Sequence, residues 1–187
     1  AECYGPRTRG FVAAGSLRKA RGGHCATRLA SGQVLITGGI DGQGNPLASA
    51  ELFDPTSGQF TLLPQSMLVP HGHHTATPLT DGRVLLVSGT SAEWYDPGSG
   101  RFVATQGPSI ARSHHAAALL RDGRVLIAGG YSGSSQGNQS YEEVWNHKTG
   151  QIRHVGAAGA PSSPAVTVGS AADDLTRFGL SLTTLAD

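Results

Sequence analysis

Apolar residues in this chain fall into short runs that return at fixed spacing. Val34-Leu35-Ile36, Val84-Leu85-Leu86-Val87 and Val125-Leu126-Ile127 each lie inside a longer segment that opens on a histidine and closes on a glycine. His24 to Gly39, His74 to Gly89 and His115 to Gly130 all span 15 positions. A second element follows each: Ala50-Glu51-Leu52-Phe53, Ala92-Glu93-Trp94-Tyr95 and Glu142-Glu143-Val144-Trp145. A further copy, Ala1-Glu2-Cys3-Tyr4, opens the chain. From its glutamate to the next apolar anchor is always 9 residues: Glu2 to Phe11, Glu51 to Phe60, Glu93 to Phe102, Glu143 to Ile152. A constant period of this length marks a repeat architecture.

One repeat reads as four short strands. The first runs from the histidine to Leu29, Leu79 or Leu120, and a glycine turn follows at Ser31-Gly32, Asp81-Gly82 or Asp122-Gly123. That pairing suggests a two-residue hairpin turn, for which glycine supplies positive φ without a Cβ clash. The second strand is the unbroken apolar run, which predicts burial of both faces. The third carries the Glu-x-aromatic step, and the fourth starts at Phe60, Phe102 or Ile152. Only the link between strands two and three varies: Gly39 to Glu51 is 12, Gly89 to Glu93 is 4 and Gly130 to Glu143 is 13. Four-stranded units of fixed core length, each with two apolar faces for its neighbours to cover, predict an all-β propeller.

The paired glycines Gly38-Gly39 and Gly129-Gly130, the Arg/His-led inner strand and the pattern His-x-Ala-x-x-Leu-x-Asp-Gly-Arg-Val-Leu-Ile-x-Gly-Gly followed by Ala-Glu-x-Tyr-Asp-Pro resemble kelch repeats, in the bacterial form found in galactose-oxidase-like propellers. The resemblance covers about residues 1 to 157. It implies a propeller of four-stranded kelch blades. Complete blades are expected at 17–65, 67–107 and 109–157, with the outer strands of a split blade at 1–16. Residues 160–187 read as a degenerate inner hairpin closing that split blade, or as the start of another domain. Ala165 to Val168 would be its first strand and Leu175 to Leu182 its second. Self-association is the other way to complete the ring. The chain opens inside a repeat, so a processed or partial chain is expected.

Composition narrows the function. There are 187 residues, 14 % of them charged, with a formal net charge of +1 and no basic run. Nucleic acid is therefore not an expected partner. No apolar stretch reaches the roughly 18 residues that a membrane-spanning helix needs. Cys3 and Cys25 fall on different blades and read as small packed residues rather than as a disulfide. The resemblance favours a secreted or cell-surface bacterial setting.

Candidate chemistry gathers at the entry to the inner strand. His24, His74 and His115 share one repeat position and are expected to hydrogen-bond a neighbouring blade. His73 and His114 share another, where the first blade has Gly23, and His71 matches Arg21 and Arg112. His71, His73 and His114 could meet a zinc or copper ion near the axis, or stand as solvated loop histidines. Arg21 and Arg112 could offer bidentate donors to a ligand carboxylate, or form structural salt bridges to a neighbouring blade. The second-to-third loops add Asp41, Asn45, Tyr131 and Asn138, polar or aromatic groups suited to sugar hydroxyls or a protein partner, or else plain linkers. Glu51, Glu93 and Glu143 recur in every blade, which argues for a structural bond rather than paired catalytic acids.

No nucleophile–base pair, phosphate loop or complete metal set is found. The leading expectation is a non-catalytic propeller binding a protein or a glycan through its loop face, with no cofactor. The alternative implied by the resemblance is a fragment or degenerate relative of a galactose-oxidase-like copper-radical oxidase. That chemistry needs a cross-linked Tyr–Cys pair, and neither cysteine falls near Tyr131 or Tyr141.

Overall fold

The computed structural model describes residues 1–131 and 142–155, and all its regular structure is β. Four-stranded antiparallel sheets repeat three times. The first holds β3 (Cys25–Arg28), β4 (Val34–Thr37), β5 (Ala50–Asp54) and β6 (Gln59–Leu62). The second holds β7 (Thr75–Pro78), β8 (Val84–Ser88), β9 (Ser91–Asp96) and β10 (Arg101–Thr105). The third holds β11 (Ala116–Leu119), β12 (Val125–Ala128), β13 (Glu142–Trp145) and β14 (Ile152–Val155). Each sheet keeps sequence order from its inner to its outer strand, so every connection within a blade is a hairpin. Ahead of them β1 (Glu2–Gly5) and β2 (Gly10–Ala13) pair alone, in the register of third and fourth strands. The architecture is a partial propeller of four-stranded blades. Among the described residues no helix is long and apolar enough to cross a membrane. The expected hairpin at 160–187 lies outside the described residues.

The unbroken apolar runs do bury both faces, because successive side chains of a strand point to opposite sides. Val84 and Leu86 join a core with Leu29, Leu35, Tyr95 and Phe102, between the first and second sheets. Leu85 and Val87 face the other way, into a core with Val125, Ile127 and Trp145 between the second and third. Ile36, Phe53 and Phe60 pack against Ala14 and Cys3, which seats the β1–β2 hairpin on the first sheet. All four residues of the β8 run are at most 1 % exposed. Each core lies between sheets, so a blade's stability resides in its neighbours.

The inner hairpin turn differs from the two-residue form expected. The Leu29 N–H donates to the Gln33 carbonyl (2.8 Å) and the Gly32 N–H to the Leu29 carbonyl (2.9 Å), which makes a three-residue loop. Leu79/Arg83 and Leu120/Arg124 close the same way. Only the glycine has positive φ (88° at Gly32, 87° at Gly82, 82° at Gly123), as in a type I turn followed by a left-handed residue. In the second and third blades the aspartate before that glycine accepts the N–H of Arg83 or Arg124 and also pairs with its side chain. A two-residue turn would need positive φ at the aspartate as well, and here that residue is free to cap instead.

The paired glycines have a steric cause. A Cβ on Gly39 would lie 2.6 Å from the Gly22 carbonyl oxygen, and one on Gly130 would lie 2.9 Å from that of Ser113. The chain entering the blade passes too close for any side chain.

Candidate functional site

The recurring glutamate of the third strand organises the entry to each blade. Glu51 on β5 accepts the backbone N–H groups of Arg18 (2.7 Å) and Lys19 (3.0 Å) and pairs with Arg21 Nη2 (2.9 Å). Glu93 on β9 accepts the Leu68 N–H (2.9 Å) and meets His71 Nε2 (2.7 Å). Glu143 on β13 accepts the Ser109 N–H (3.0 Å) and hydroxyl (2.9 Å) and pairs with Arg112 Nη2 (2.8 Å). All three carboxylates are at most 1 % exposed. The backbone N–H groups of Arg18 and Lys19 and the Arg21 guanidinium together hold the Glu51 carboxyl below its usual range, against the opposing effect of burial. Arg21 also donates to the carbonyls of Gly38 (2.7 Å) and Ser49 (2.9 Å), and Arg112 to that of Gly129 (3.0 Å).

Arg21, His71 and Arg112 are therefore turned into the sheet. Their charged or ring groups are buried against these glutamates. Both arginines form salt bridges, but to a glutamate of their own blade and not, as expected, of a neighbouring one. His71 takes the arginine's place in the second blade. With its Nε2 on Glu93 and its ring against His74 (centroids 5.5 Å apart), it does not converge with His73 and His114. Among the described residues no three His, Cys, Asp or Glu side chains are arranged to hold a metal ion. The reason is the local bond: a buried carboxylate captures the imidazole that the proposed ligand set required.

The strand-opening histidines make bonds between blades. His74 Nε2 lies 2.8 Å from Thr37 Oγ1 of the first blade, and His115 Nε2 lies 2.9 Å from Thr75 Oγ1 of the second. Burial drives the His74 pKa down to about 3, helped by the neighbouring His71, and drives that of His115 down to about 4, helped by Arg112. His24 has no inner strand before it among the described residues and is exposed. The Cys25 thiol donates to the His74 carbonyl (3.0 Å), and burial pushes its pKa up to about 11. Cys3 and Cys25 are both free thiols.

The outer rim holds what is left open. His73 and His114 are exposed, and both have left-handed backbone, with φ of 53° and 56°. Gly23, at the same repeat position, has φ 60°. The two imidazoles stack with centroids 4.3 Å apart and planes 28° from parallel. Tyr131 is 53 % exposed, and its backbone pairs with Ser113, the neighbour of His114. Asp41 is satisfied within its own loop: Oδ1 accepts the N–H groups of Gln43 and Asn45, and Oδ2 the Asn45 side-chain amide (3.3 Å). Those bonds lower its pKa and leave Asp41 and Asn45 as loop-closing residues. Asn138 lies outside the described residues. The left-handed backbone of His73 and His114 escaped the sequence reading, although Gly23 at the matching position carried the signal.

Residues 21–67 match the family model for the kelch motif. This stretch is similar to a kelch motif. It takes in the Arg21–Glu51 pair, the first sheet and the start of the link to the next. With the four-stranded antiparallel sheets, the match supports a kelch-repeat propeller. No curated protein matches the chain. In this arc the exposed groups of the rim are histidine and tyrosine side chains, and the charged groups behind them are already paired.

Two outcomes follow. Glu51→Ala strips a buried guanidinium and two backbone N–H groups of their acceptor, and is expected to cost about 3–5 kcal/mol in urea unfolding. Glu2→Ala, on the exposed hairpin, should cost well under that. Acidification should weaken the fold in a set window. His74 and His115 bind protons in the unfolded chain below about pH 6.5 but resist them when folded. Their stabilisation is therefore complete above pH 6.5 and falls by up to about 1.4 kcal/mol per pH unit per histidine, down to about pH 4 for His115 and about pH 3 for His74. Urea midpoints between pH 7 and 5 should drop, and His115→Gln should flatten that slope. The depressed carboxylates act in the same direction, but only at lower pH.

Proposed function

We propose that the chain is a non-catalytic binding module that takes a protein or glycan ligand on the rim formed by His73, His114 and Tyr131. The observation that carries the reading is the left-handed backbone of two exposed histidines at one repeat position. Such a conformation costs about 1 kcal/mol for a residue with a Cβ, and the first blade avoids that cost with Gly23. Strain held at an exposed surface, with no core to fill, supports a recognition role for the imidazoles. Fixed rings with polar edges also lose little conformational entropy on contact. The kelch repeat supports a propeller binding module in general.

No described feature favours the copper-radical oxidase. Cys25 lies across from Thr37 and Cys3 across from Val12 in their sheets, so neither faces a tyrosine partner there. Tyr141 lies outside the described residues. The test is a screen of immobilised peptides and glycans against the wild-type chain and against His73→Ala/His114→Ala. A bound ligand should lose at least tenfold in affinity, about 1.4 kcal/mol, in the double variant. Retention of full affinity would remove the rim from consideration.

We infer further that the β1–β2 hairpin is a seat for a half-blade that completes it. Tyr4 and Phe11 form the same ring pair as Tyr95 and Phe102 (centroids 5.2 and 4.9 Å apart). Yet they are 54 % and 70 % exposed, where Tyr95 and Phe102 are 2 % and 8 %. Light scattering over a dilution series should give a constant 19.2 kDa. A mass that rises with concentration would assign the seat to a second copy instead.

A further inference from the structure

The rim position filled by His73 and His114 carries no side chain in the first blade. Its backbone is the same in all three, with φ of 60° at Gly23, 53° at His73 and 56° at His114. The row of rings therefore ends at His73 above Gly23. A Cβ built on Gly23 would meet His73 Cε1 at 3.7 Å and Nδ1 at 3.8 Å, ordinary van der Waals contact, with no other atom within 4 Å. A Cβ on Gly22 would meet nothing within 4 Å. The space can take a side chain and has an imidazole for one wall. By the symmetry of the repeat, a ring placed there would sit against His73 much as His73 sits against His114, 4.3 Å between centroids.

The polar groups of the neighbouring segments are bonded within the fold or buried. The Arg21 guanidinium lies on Glu51, Gly38 and Ser49, His74 bonds Thr37, and Asp41 and Asn45 bond each other. A sugar would need several of them to converge on its hydroxyls. What stays open is π surface, together with the exposed His24 imidazole. Offset stacking on such a surface contributes about 0.5–1.5 kcal/mol beyond area burial.

We propose that the space over Gly23 is a slot for one aromatic side chain of a partner polypeptide, stacked on His73 as His73 is stacked on His114. The proposal rests on the reading of the rim as the binding surface and narrows it to a ligand chemistry. The test uses N-acetyl-tryptophanamide as probe and the imidazole Hε1 resonances of His24, His73 and His114 as readout. The wild-type chain should show a saturable upfield displacement at His73 and at His24, the residue next to Gly23. Gly23→His places its own ring in the slot, on a backbone that two other blades already give to histidine, and should abolish the displacement. His73→Asn keeps a residue tolerant of left-handed backbone but removes the wall, and should abolish the displacement at His24. That second variant keeps the test decisive if the first fails to fold. No displacement in the wild type, an equal displacement in Gly23→His, or displacement by methyl β-glucoside in place of the indole would overturn the slot. A partner found on the rim that binds Gly23→His as tightly as wild type would sink the slot alone. A partner indifferent to His73→Ala/His114→Ala would sink the rim reading itself.

Discussion

A buried carboxylate on the third strand of each blade is the interaction on which the rest of the arc depends. Glu51, Glu93 and Glu143 each bind the link arriving from the previous blade through its backbone N–H and through an arginine or histidine further along. A propeller link crosses between sheets and finds no strand to pair with, so its N–H groups need another acceptor. A carboxylate accepts several donors at once, and burial makes those bonds hard to replace with water. The same knot fixes where the chain turns into its inner strand, which sets the position of the rim. Arg21 and Arg112 extend it to the carbonyls of Gly38 and Gly129, and so tie the paired glycines to the entering chain.

Packing and polar bonding divide the labour by depth. Between the sheets, Leu85, Val87, Ile127 and Trp145 close one seam, and Leu35, Leu86, Tyr95 and Phe102 close the other. Nearer the entry to the inner strands, the seams are bridged by His74 to Thr37 and His115 to Thr75. Those imidazoles stay neutral because burial penalises their charge, so the seams are neutral hydrogen bonds at ordinary pH. The chemistry that remains outside, His73, His114 and Tyr131, sits on a frame whose buried carboxylates are already paired.

The repeat also explains where sequence reasoning succeeded and where it stopped. Strands β3 to β14 lie where the spacing placed them, because period-2 patterning and conserved segment lengths are local properties. The burial of both faces of Val84 to Val87 was legible for the same reason. The site was legible only in part. Position 71 and its equivalents were recognised as matched, but matching does not tell which way a side chain turns. Arg21, His71 and Arg112 turned inward because a carboxylate 22 to 31 residues downstream lies beneath them. The capping role of Asp41 was hidden in the same way, since the donors it accepts are the N–H groups of its own loop.

The sequence by itself determined the all-β class, the four-strand unit and the glycines at its turns. These follow from chain-local rules of alternation, turn length and Cβ sterics. Tertiary structure alone decided which polar groups remain available. That choice depends on distances between segments remote in sequence, as when Glu93 captures His71 while His73, two residues on, is left on the rim to stack with His114. Burial then fixes the outcome, because a charge or imidazole enclosed with a partner cannot also serve a ligand.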